Sequence, residues 1–473
     1  MRLPIRVWFW VAVEFVVLSA LAVIRTKLWT YGSDTGTFAQ VVSDAFHGMR
    51  DGVEQGSHFR YHWSPTLGIL WPFVALTHGA LALQIVQVAA TVACVPLVVA
   101  LARPYAGEKL AEQIGLVTLF YPPLLALGFD EFHELGLFTV LVLGMFVAAD
   151  RAQWKWFAIC SLLAMGLRED AVITLFVFGV VLVVTALRPS PQGCGLLDNR
   201  PLERRSLAIA GSLLAGCCGG VLFFYYGVVI PRLGGWRPSH FYVYPFAHGP
   251  LALLAAPVTH PVQFATSIFT FGRLTYVLEA LVPLVFLPLR SWWALLAVPG
   301  AGIVLLANSG YVWRMGDHYA ALWIPWLLVA MVMGVVALAR KTSVRVAKNW
   351  TAAAAGACVV FLIAFDPLHP LHYLHPYYRN LRAAAAALNC VPKNASLATY
   401  DEWFSAIAAQ RPKATIDKAG GVQYLVYADD FPSKNFQQRL RPAIAAEVER
   451  GQYRVICSFD KVRVYKAVAQ KKK

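Results

Sequence analysis

Residues 80–102 read ALALQIVQVAATVACVPLVVALA, a run without a single charged side chain. A helix of about 20 apolar residues crosses the hydrocarbon core of a bilayer, so this run predicts a transmembrane helix. Comparable apolar runs occupy residues 7–24, 113–129, 135–149, 154–167, 171–187, 207–230, 268–289, 291–307, 319–339 and 350–365. The sequence therefore predicts an α-helical polytopic membrane domain over residues 1–365, with about eleven transmembrane helices.

The composition agrees with a bilayer as the solvent of this chain. Of its 473 residues, 58% are hydrophobic and 14% are charged, whereas an average soluble domain has about 25% charged residues. The net charge of +15 does not indicate nucleic acid, because most basic residues lie in short loops between apolar runs. We expect the lipid bilayer as a partner and no nucleic acid, while the oligomeric state stays open.

Lysine and arginine residues predict the orientation of the helices. They collect in alternate loops, at residues 2–6, 103–109, 151–155, 188–205, 290 and 340–348. The positive-inside rule places these loops in the cytoplasm, so the chain is predicted to be a multi-pass protein of the inner (plasma) membrane. An odd number of crossings then puts the residues after 365 outside. Residues 25–79 become a long first outer loop, in which Pro65 and Pro72 favour an interfacial or re-entrant helix over a crossing one.

The character of the chain changes after the last apolar run. Residues 366–389 form a predicted juxtamembrane segment. Residues 390–473 show strand patterns at 395–400, 423–428, 453–459 and 462–466, with helix patterns at 401–410 and 433–450. This alternation predicts a small extracytoplasmic α/β domain, in which Cys390 and Cys457 could pair in an oxidising compartment.

Ionisable side chains collect at the predicted outer ends of the helices. Asp34 precedes an apolar stripe and could cap a helix. The turn Asp130-Glu-Phe-His-Glu134 places carboxylates and an imidazole just above the hydrocarbon. The Arg168-Glu-Asp170 turn repeats this arrangement with a guanidinium that suits a phosphate oxygen. Further ionisable residues in outer loops are Arg314, Asp317 and His318. These positions predict a polar cavity that opens outward.

Two histidines of the first outer loop, His58 and His62, are four residues apart. They could share a helix face as metal ligands, although an aromatic-rich stretch at the membrane interface commonly contains such residues without a metal. No glycine-rich nucleotide-binding motif follows a strand pattern anywhere in the sequence. The sequence therefore does not indicate a soluble nucleotide-binding domain.

The order of these motifs resembles a known family. Asp34, Phe38 and Gln40, then His62-Trp-Ser-Pro65, then Phe132-His-Glu134 and Arg168-Glu-Asp170 are similar to DUF2079-type bacterial membrane proteins. That family is grouped with the GT-C glycosyltransferase superfamily. The resemblance implies a GT-C-like fold and a glycosyltransferase that uses a polyprenyl-phosphate-linked sugar donor on the extracytoplasmic face.

The resemblance also implies roles for individual residues. Asp34, Asp130 and Glu131 would be catalytic, and the pair Asp130 and Glu131 could hold a divalent cation, Mg or Mn. A lone Asp34, where many members have two acids one residue apart, leaves metal dependence open. The candidate substrate-binding residues are Gln40, His62, His133, Glu134, Arg168, Glu169, Asp170, Arg314, Asp317 and His318.

Two other functions stay open on the sequence alone. A transporter or flippase of a lipid-linked or anionic solute also gathers charges around a cavity, but it predicts charges near mid-helix and two matching halves. A non-enzymatic envelope scaffold would bind its partners through the exported tail. The sequence leaves open the sugar, the acceptor and whether the protein is an enzyme.

Overall fold

The computed structural model describes residues 3–77, 79–187, 201–234 and 241–468. Residues 1–2 and 188–200 of the predicted cytoplasmic segments lie outside the described residues. The helices up to residue 365 are α1 (Ile5–Leu28), α2 (Ser33–Ser43), α3 (Trp71–Thr77), α4 (Leu81–Ala106), α5 (Glu108–Leu119), α6 (Pro122–Phe129), α7 (Phe138–Asp150), α8 (Trp154–Met165), α9 (Glu169–Leu187), α10 (Pro201–Phe224), α11 (Ile230–Leu233), α12 (Pro250–Thr259), α13 (Pro261–Ile268), α14 (Phe271–Leu281), α15 (Ala297–Leu305), α16 (Ile324–Lys341) and α17 (Val344–Phe365).

In the described part of the chain, six helical segments are long and apolar enough to cross a membrane. The bent pairs α5–α6 and α12–α13, with bends of 50° and 116°, raise that number to at most eight. The predicted count of about eleven is therefore not confirmed. One cause is visible in the predicted span 268–289, where α14 ends before Val285 and Phe286, which adopt left-handed backbone conformations with φ of 44° and 56°. A straight helix cannot pass through two such residues.

Helix α4 lies at the centre of the membrane part and packs against α1, α5, α7 and α16. Its amino-terminal end carries two buried amides, Gln84 and Gln87. Gln87 Nε2 donates to the carbonyl oxygen of Leu127 at 3.0 Å, and its Oε1 accepts from the backbone N–H of His133 at 3.0 Å. These bonds satisfy buried polar groups and fix the turn between α6 and α7, which contains the acidic motif.

The first outer loop is folded. It contains α2, the two-residue strands β1 (Arg50–Asp51) and β2 (Gly56–Ser57), and a short apolar helical stretch at Pro65–Thr77. That stretch is too short to be one of the six long candidate spans. A further hairpin joins β3 (Val243–Tyr244) to β4 (Ala247–His248).

The tail forms a compact sheet with its own apolar core. Its helices are α18 (Pro370–Tyr373), α19 (Leu381–Asn389), α20 (Asp401–Ile407) and α21 (Arg441–Glu449), and its strands are β5 (Leu397–Thr399), β6 (Ala414–Ile416), β7 (Tyr424–Ala428), β8 (Tyr453–Phe459) and β9 (Val462–Ala467). The strand order is β6-β5-β7-β9-β8, with β5 parallel to β6 and β7. Strand β9 is antiparallel to β7 and β8. Because α19 packs on β8 and β9, part of the predicted juxtamembrane segment belongs to this sheet unit.

The sheet unit docks directly on α2 of the first outer loop. The Ser405 hydroxyl donates to the Tyr31 carbonyl oxygen at 2.8 Å. At Gly36 the two parts approach so closely that a Cβ atom would lie 2.6 Å from the Phe404 ring. Glycine is therefore required there by contact, and α2 is held between the membrane part and the tail.

Cys390 and Cys457 are both free thiols in this structure. Burial and the neighbouring Cys457 raise the pKa of the Cys390 thiol to about 11. The two thiols are thus close in space, and their pairing stays a prediction.

Candidate functional site

Arg168 lies in the turn before α9, at the centre of a buried ionic cluster. Its guanidinium is 2% exposed. Arg168 Nε is 3.1 Å from Asp170 Oδ2, and Arg168 Nη1 is 3.9 Å from Glu134 Oε1. Arg168 Nη2 donates to the Tyr319 hydroxyl at 3.1 Å. The positive charge of Arg168 is therefore already balanced by protein groups, which does not favour it as a phosphate ligand.

Two stacked histidines adjoin this cluster. The rings of His133 and His318 are parallel to within 6°, with centroids 3.3 Å apart. His133 Nδ1 is 2.8 Å from Glu134 Oε2, and His318 Nδ1 is 3.0 Å from Asp317 Oδ1. Burial and the charges of His318 and Arg168 hold the pKa of His133 well below its usual range. Burial also opposes protonation of His318, but Asp317 outweighs it and raises the pKa of His318. His318 is therefore the more basic of the two rings, and His133 stays neutral at physiological pH.

His62 belongs to the same region. Its Nδ1 is 2.9 Å from Glu169 Oε1, while Glu169 Oε2 accepts the backbone N–H of Trp63 at 2.9 Å. Burial and Arg168 lower the pKa of His62 to about 3, so its ring is neutral at physiological pH. The bond ties the first outer loop to the start of α9 and positions the loop beside the cluster.

Asp34 is not the cap of α2, which corrects the prediction made from sequence. The helix begins after Gly32, and Glu131 from the α6–α7 turn supplies the acceptor. Glu131 Oε2 accepts the backbone N–H groups of Asp34 at 3.1 Å and of Thr35 at 3.4 Å. The carboxyl oxygen of Glu131 thus satisfies two of the backbone N–H groups that the first turn of α2 leaves unpaired. The Asp34 carboxyl is consequently available for another role.

The carboxyl groups in this region have raised pKa values. Burial, Asp317 and Glu134 raise the pKa of Asp34 against the opposing charge of His318. Burial and Asp34 raise the pKa of Glu131 to about 8, and burial and Asp317 raise the pKa of Asp130 to about 7. Carboxyl groups with pKa values nearer to neutrality are stronger bases than ordinary surface carboxylates. Near pH 7 Glu131 is therefore mostly protonated, whereas Asp130 can take up or release a proton.

A cavity of about 560 Å³ is lined by one of these three carboxyl groups, that of Asp130. Asp130, Asp317 and Arg314 line it, together with the aromatic residues Trp313 and Phe365. The Arg314 side chain is exposed, and none of the described residues forms a hydrogen bond or an ion pair with its guanidinium. Of the two arginines proposed from sequence, only Arg314 thus presents an unpaired positive charge to the cavity.

A further arginine, Arg25 at the end of α1, also lines the cavity. It is 1% exposed and lies between the rings of Tyr31 and Tyr373, 4.0 and 4.1 Å from their centroids. Its guanidinium donates to the carbonyl oxygens of Phe129 and Thr30. These contacts hold α1, α6 and the segment after α17 together, which closes one wall of the cavity.

Most of the predicted site residues are brought together, and Gln40 is the exception. Gln40 Nε2 donates to the carbonyl oxygens of Arg411 at 2.8 Å and Ala414 at 3.1 Å. Its Oε1 accepts the backbone N–H of Gly52 at 2.8 Å. These three bonds support a role in joining the tail to the first outer loop rather than in binding substrate.

Sequence reasoning missed Asp401, which the tail brings near Asp34. Burial raises the pKa of Asp401 to about 7, with further contributions from Asp417, Glu402 and Asp34. Asp401 Oδ1 is buried and has no hydrogen-bond partner among the described residues. Its position after β5 is a signal that could have been read, because side chains at the carboxyl ends of parallel strands commonly form binding sites.

The predicted cation site at Asp130 and Glu131 does not bring three ligand atoms together. Glu131 already accepts hydrogen bonds from backbone N–H groups at the start of α2. In the described part of the chain, one group of metal-ligating side chains has its ligand atoms within 4.8 Å of one another, and that group is Asp51, Glu54 and His58. A cation at Asp130 and Glu131 would therefore need most of its ligands from water or substrate.

Solved structures with a similar fold cover nearly the whole chain. ArnT from Cupriavidus metallidurans bound to undecaprenyl phosphate has a TM-score of 0.54 at 12% identity, over 97% of this chain and 98% of that chain. Its apo state has a TM-score of 0.51 at 12% identity, over 96% and 99%. The Archaeoglobus fulgidus oligosaccharyltransferase has a TM-score of 0.41 at 12% identity, over 98% and 74%. These structural neighbours are GT-C glycosyltransferases.

At these identities the structural likeness concerns the fold alone. A comparison with curated proteins found none that matches the chain by sequence. A family model described as "Predicted membrane protein (DUF2079)" matches residues 26–458, which is most of the chain. The chain belongs to the DUF2079 family of predicted membrane proteins.

Proposed function

We propose that this protein is a GT-C-type membrane glycosyltransferase that takes its sugar from a polyprenyl-phosphate donor on the extracytoplasmic face. The observation that carries the proposal is the joint placement of Arg314, Asp317 and Asp130 around one cavity, with Asp34 in electrostatic contact with Asp317. A sugar transfer needs a cation for the departing phosphate and a base for the acceptor. Both kinds of group are present within one site.

The donor assignment rests on the walls of the cavity. Its polar part contains Arg314, and its apolar part contains Phe361 and Phe365 at the end of α17. Phe365 is 65% exposed in the protein alone, and in this proposal it faces the surrounding lipid. A lipid phosphate could bind Arg314 by charge-assisted hydrogen bonds while its isoprenoid chain lies along α17. ArnT has the same fold and was solved with undecaprenyl phosphate, which supports this class of lipid as the partner.

In the proposed reaction, Asp34 is the base for the acceptor. An acceptor hydroxyl loses its proton to the Asp34 carboxylate while its oxygen forms a bond to the anomeric carbon of the sugar. The bond between that carbon and the phosphate oxygen breaks, and Arg314 stabilises the negative charge of the departing lipid phosphate. Arg168 and the stacked histidines are positioning residues, because they hold Glu134 and Asp317 around the site.

The proposed face follows from the positions of the basic loops. Arg103, Arg151 and Arg340 lie at or just after the carboxyl ends of α4, α7 and α16. The acidic motif and Asp317 precede α7 and α16, so they lie at the opposite ends of the same helices. If the basic ends face the cytoplasm, the cavity and the tail face the other side of the membrane.

Binding of undecaprenyl phosphate to the purified protein tests the donor assignment. We expect Arg314→Met to weaken binding about tenfold or more, because it removes the unpaired charge. Arg454→Met, which alters an exposed arginine of the tail, is the matched control and should leave the affinity unchanged. Equal affinities of the wild type and Arg314→Met would contradict the proposed phosphate site.

A further inference from the structure

The hairpin of the first outer loop brings together three side chains that lie outside the cavity. Asp51 belongs to β1, Glu54 to the turn and His58 to the short helical turn after β2. One ligand atom of each lies within 4.8 Å of the others. Asp51 is 5% exposed and His58 is 2% exposed, whereas Glu54 is partly open to solvent. The group thus has a buried interior and one exposed side.

Two polar atoms of this group are buried without partners. Asp51 Oδ1 accepts the backbone N–H groups of Val53 at 2.9 Å and Glu54 at 2.7 Å, which fixes the turn. Asp51 Oδ2 and His58 Nε2 are buried and have no hydrogen-bond partner among the described residues. A buried polar atom without a partner costs about 1–3 kcal/mol, so the arrangement is unfavourable unless something else binds there.

The chemistry of the group indicates what could bind. Two carboxylates held close together repel each other unless a cation or a proton lies between them. His58 Nδ1 is 3.3 Å from Glu54 Oε2, so the imidazole lies beside the carboxylates. One nitrogen and two oxygen ligands suit Zn²⁺ or Mn²⁺, whereas Mg²⁺ and Ca²⁺ prefer oxygen ligands alone.

We propose that Asp51, Glu54 and His58 form a binding site for a divalent transition-metal ion, with water completing the coordination at the side of Glu54. The site is independent of the donor cavity and of the proposed reaction. It differs from the cation site expected at Asp130 and Glu131. It also differs from the sequence-based pairing of His58 with His62, because His62 is bonded to Glu169.

The ion would stabilise the loop between α2 and the tail. The His58 ring packs edge-on against Phe38, with centroids 5.5 Å apart, and Phe38 packs against His133 at 4.8 Å. At Gly52 a Cβ atom would lie 1.9 Å from the Ala414 carbonyl oxygen, so the hairpin touches the tail directly. Binding of a metal ion at the hairpin therefore favours the conformation in which the first outer loop contacts both the ionic cluster and the tail.

The test uses the full chain, purified in detergent with an affinity tag that contains no histidine. The metal content is measured before and after treatment with a chelator, and Zn²⁺, Mn²⁺ or Mg²⁺ is then added back while the Tm is followed. We expect about one transition-metal ion per chain and a rise in Tm of about 2 °C or more with Zn²⁺ or Mn²⁺. Mg²⁺ at the same concentration should have little effect.

Asp51→Asn and His58→Gln should abolish the metal-dependent rise in Tm. Asp44→Asn is the matched control, since Asp44 lies in the same loop but pairs with the exposed Arg50 at 3.1 Å. If a variant fails to fold, the Tm values of the chelated and the metal-loaded wild type still test whether a metal ion binds. A wild-type Tm that no transition metal changes overturns the proposal, and so does binding that survives in both variants. The effect of Arg314→Met on binding of undecaprenyl phosphate tests the phosphate site in the cavity and does not test the metal site.

Discussion

Replacement of each of the two candidate arginines by methionine should produce opposite effects on stability and lipid binding. Arg168→Met keeps an apolar stem of similar length but removes a buried charge that lies 3.1 Å from Asp170 and 3.9 Å from Glu134. Arg314→Met removes an exposed charge with no partner among the described residues. The first change leaves buried carboxylates uncompensated, whereas the second leaves the folded protein almost unaffected.

The two substitutions should differ clearly in how much folding stability they remove. Removing one partner of a buried ion pair costs about 3–5 kcal/mol, whereas an exposed substitution usually changes stability by less than about 0.5 kcal/mol. At about 2.1 cal/mol/K of unfolding entropy per residue, a loss of 3–5 kcal/mol lowers the Tm of a 473-residue chain by about 3–5 °C. Helices that persist in detergent reduce the unfolding entropy, so the observed decrease in Tm should be at least this large.

Tryptophan fluorescence during heating measures the Tm, and titration with undecaprenyl phosphate measures lipid affinity. A charge-assisted hydrogen bond contributes about 1.5–3 kcal/mol, so Arg314→Met should lose about ten- to hundredfold in affinity without a change in Tm. Arg168→Met should lower the Tm and retain lipid binding below the temperature at which it unfolds. If Arg168→Met keeps the wild-type Tm but loses lipid binding, Arg168 is a lipid ligand and not a structural ion-pair partner.

Three further predictions follow from the site and the topology. Asp34→Asn should reduce sugar transfer more than tenfold while donor affinity and Tm stay unchanged, because it removes the base but keeps the shape; full activity in a transfer assay would contradict this role. The raised pKa of Glu131 means that the folded protein holds a proton that the unfolded chain releases above about pH 4.5, so stability should fall as the pH rises towards 8. Glu131→Gln should flatten that part of a plot of Tm against pH, since glutamine still accepts the bonds from α2. A cysteine-labelling scan should place residues 130–134 and the tail outside and residues 188–206 inside; labelling of the tail from the cytoplasm would be incompatible with the proposed face.

The sequence by itself determined the class of the protein and most positions of its regular structure. Apolar runs such as 80–102 indicate a bilayer, because about 20 successive residues without a charge are typical of a helix that crosses one. The strand patterns at 423–428 and 453–459 coincide with β7 and β8, since a run rich in β-branched and aromatic residues is a local signal. The three-residue strand β6 is too short for such a pattern to show.

Tertiary structure alone decided the roles of individual side chains. Nothing near Glu131 in the sequence indicates that it caps α2, and nothing near Gln40 indicates its bonds to Arg411 and Ala414. The pairing of Arg168 and the approach of Asp401 to Asp34 likewise join residues far apart in the chain. Local apolar patterns indicate which side chains are buried, but the partner of a buried charge depends on how the helices and the tail pack together.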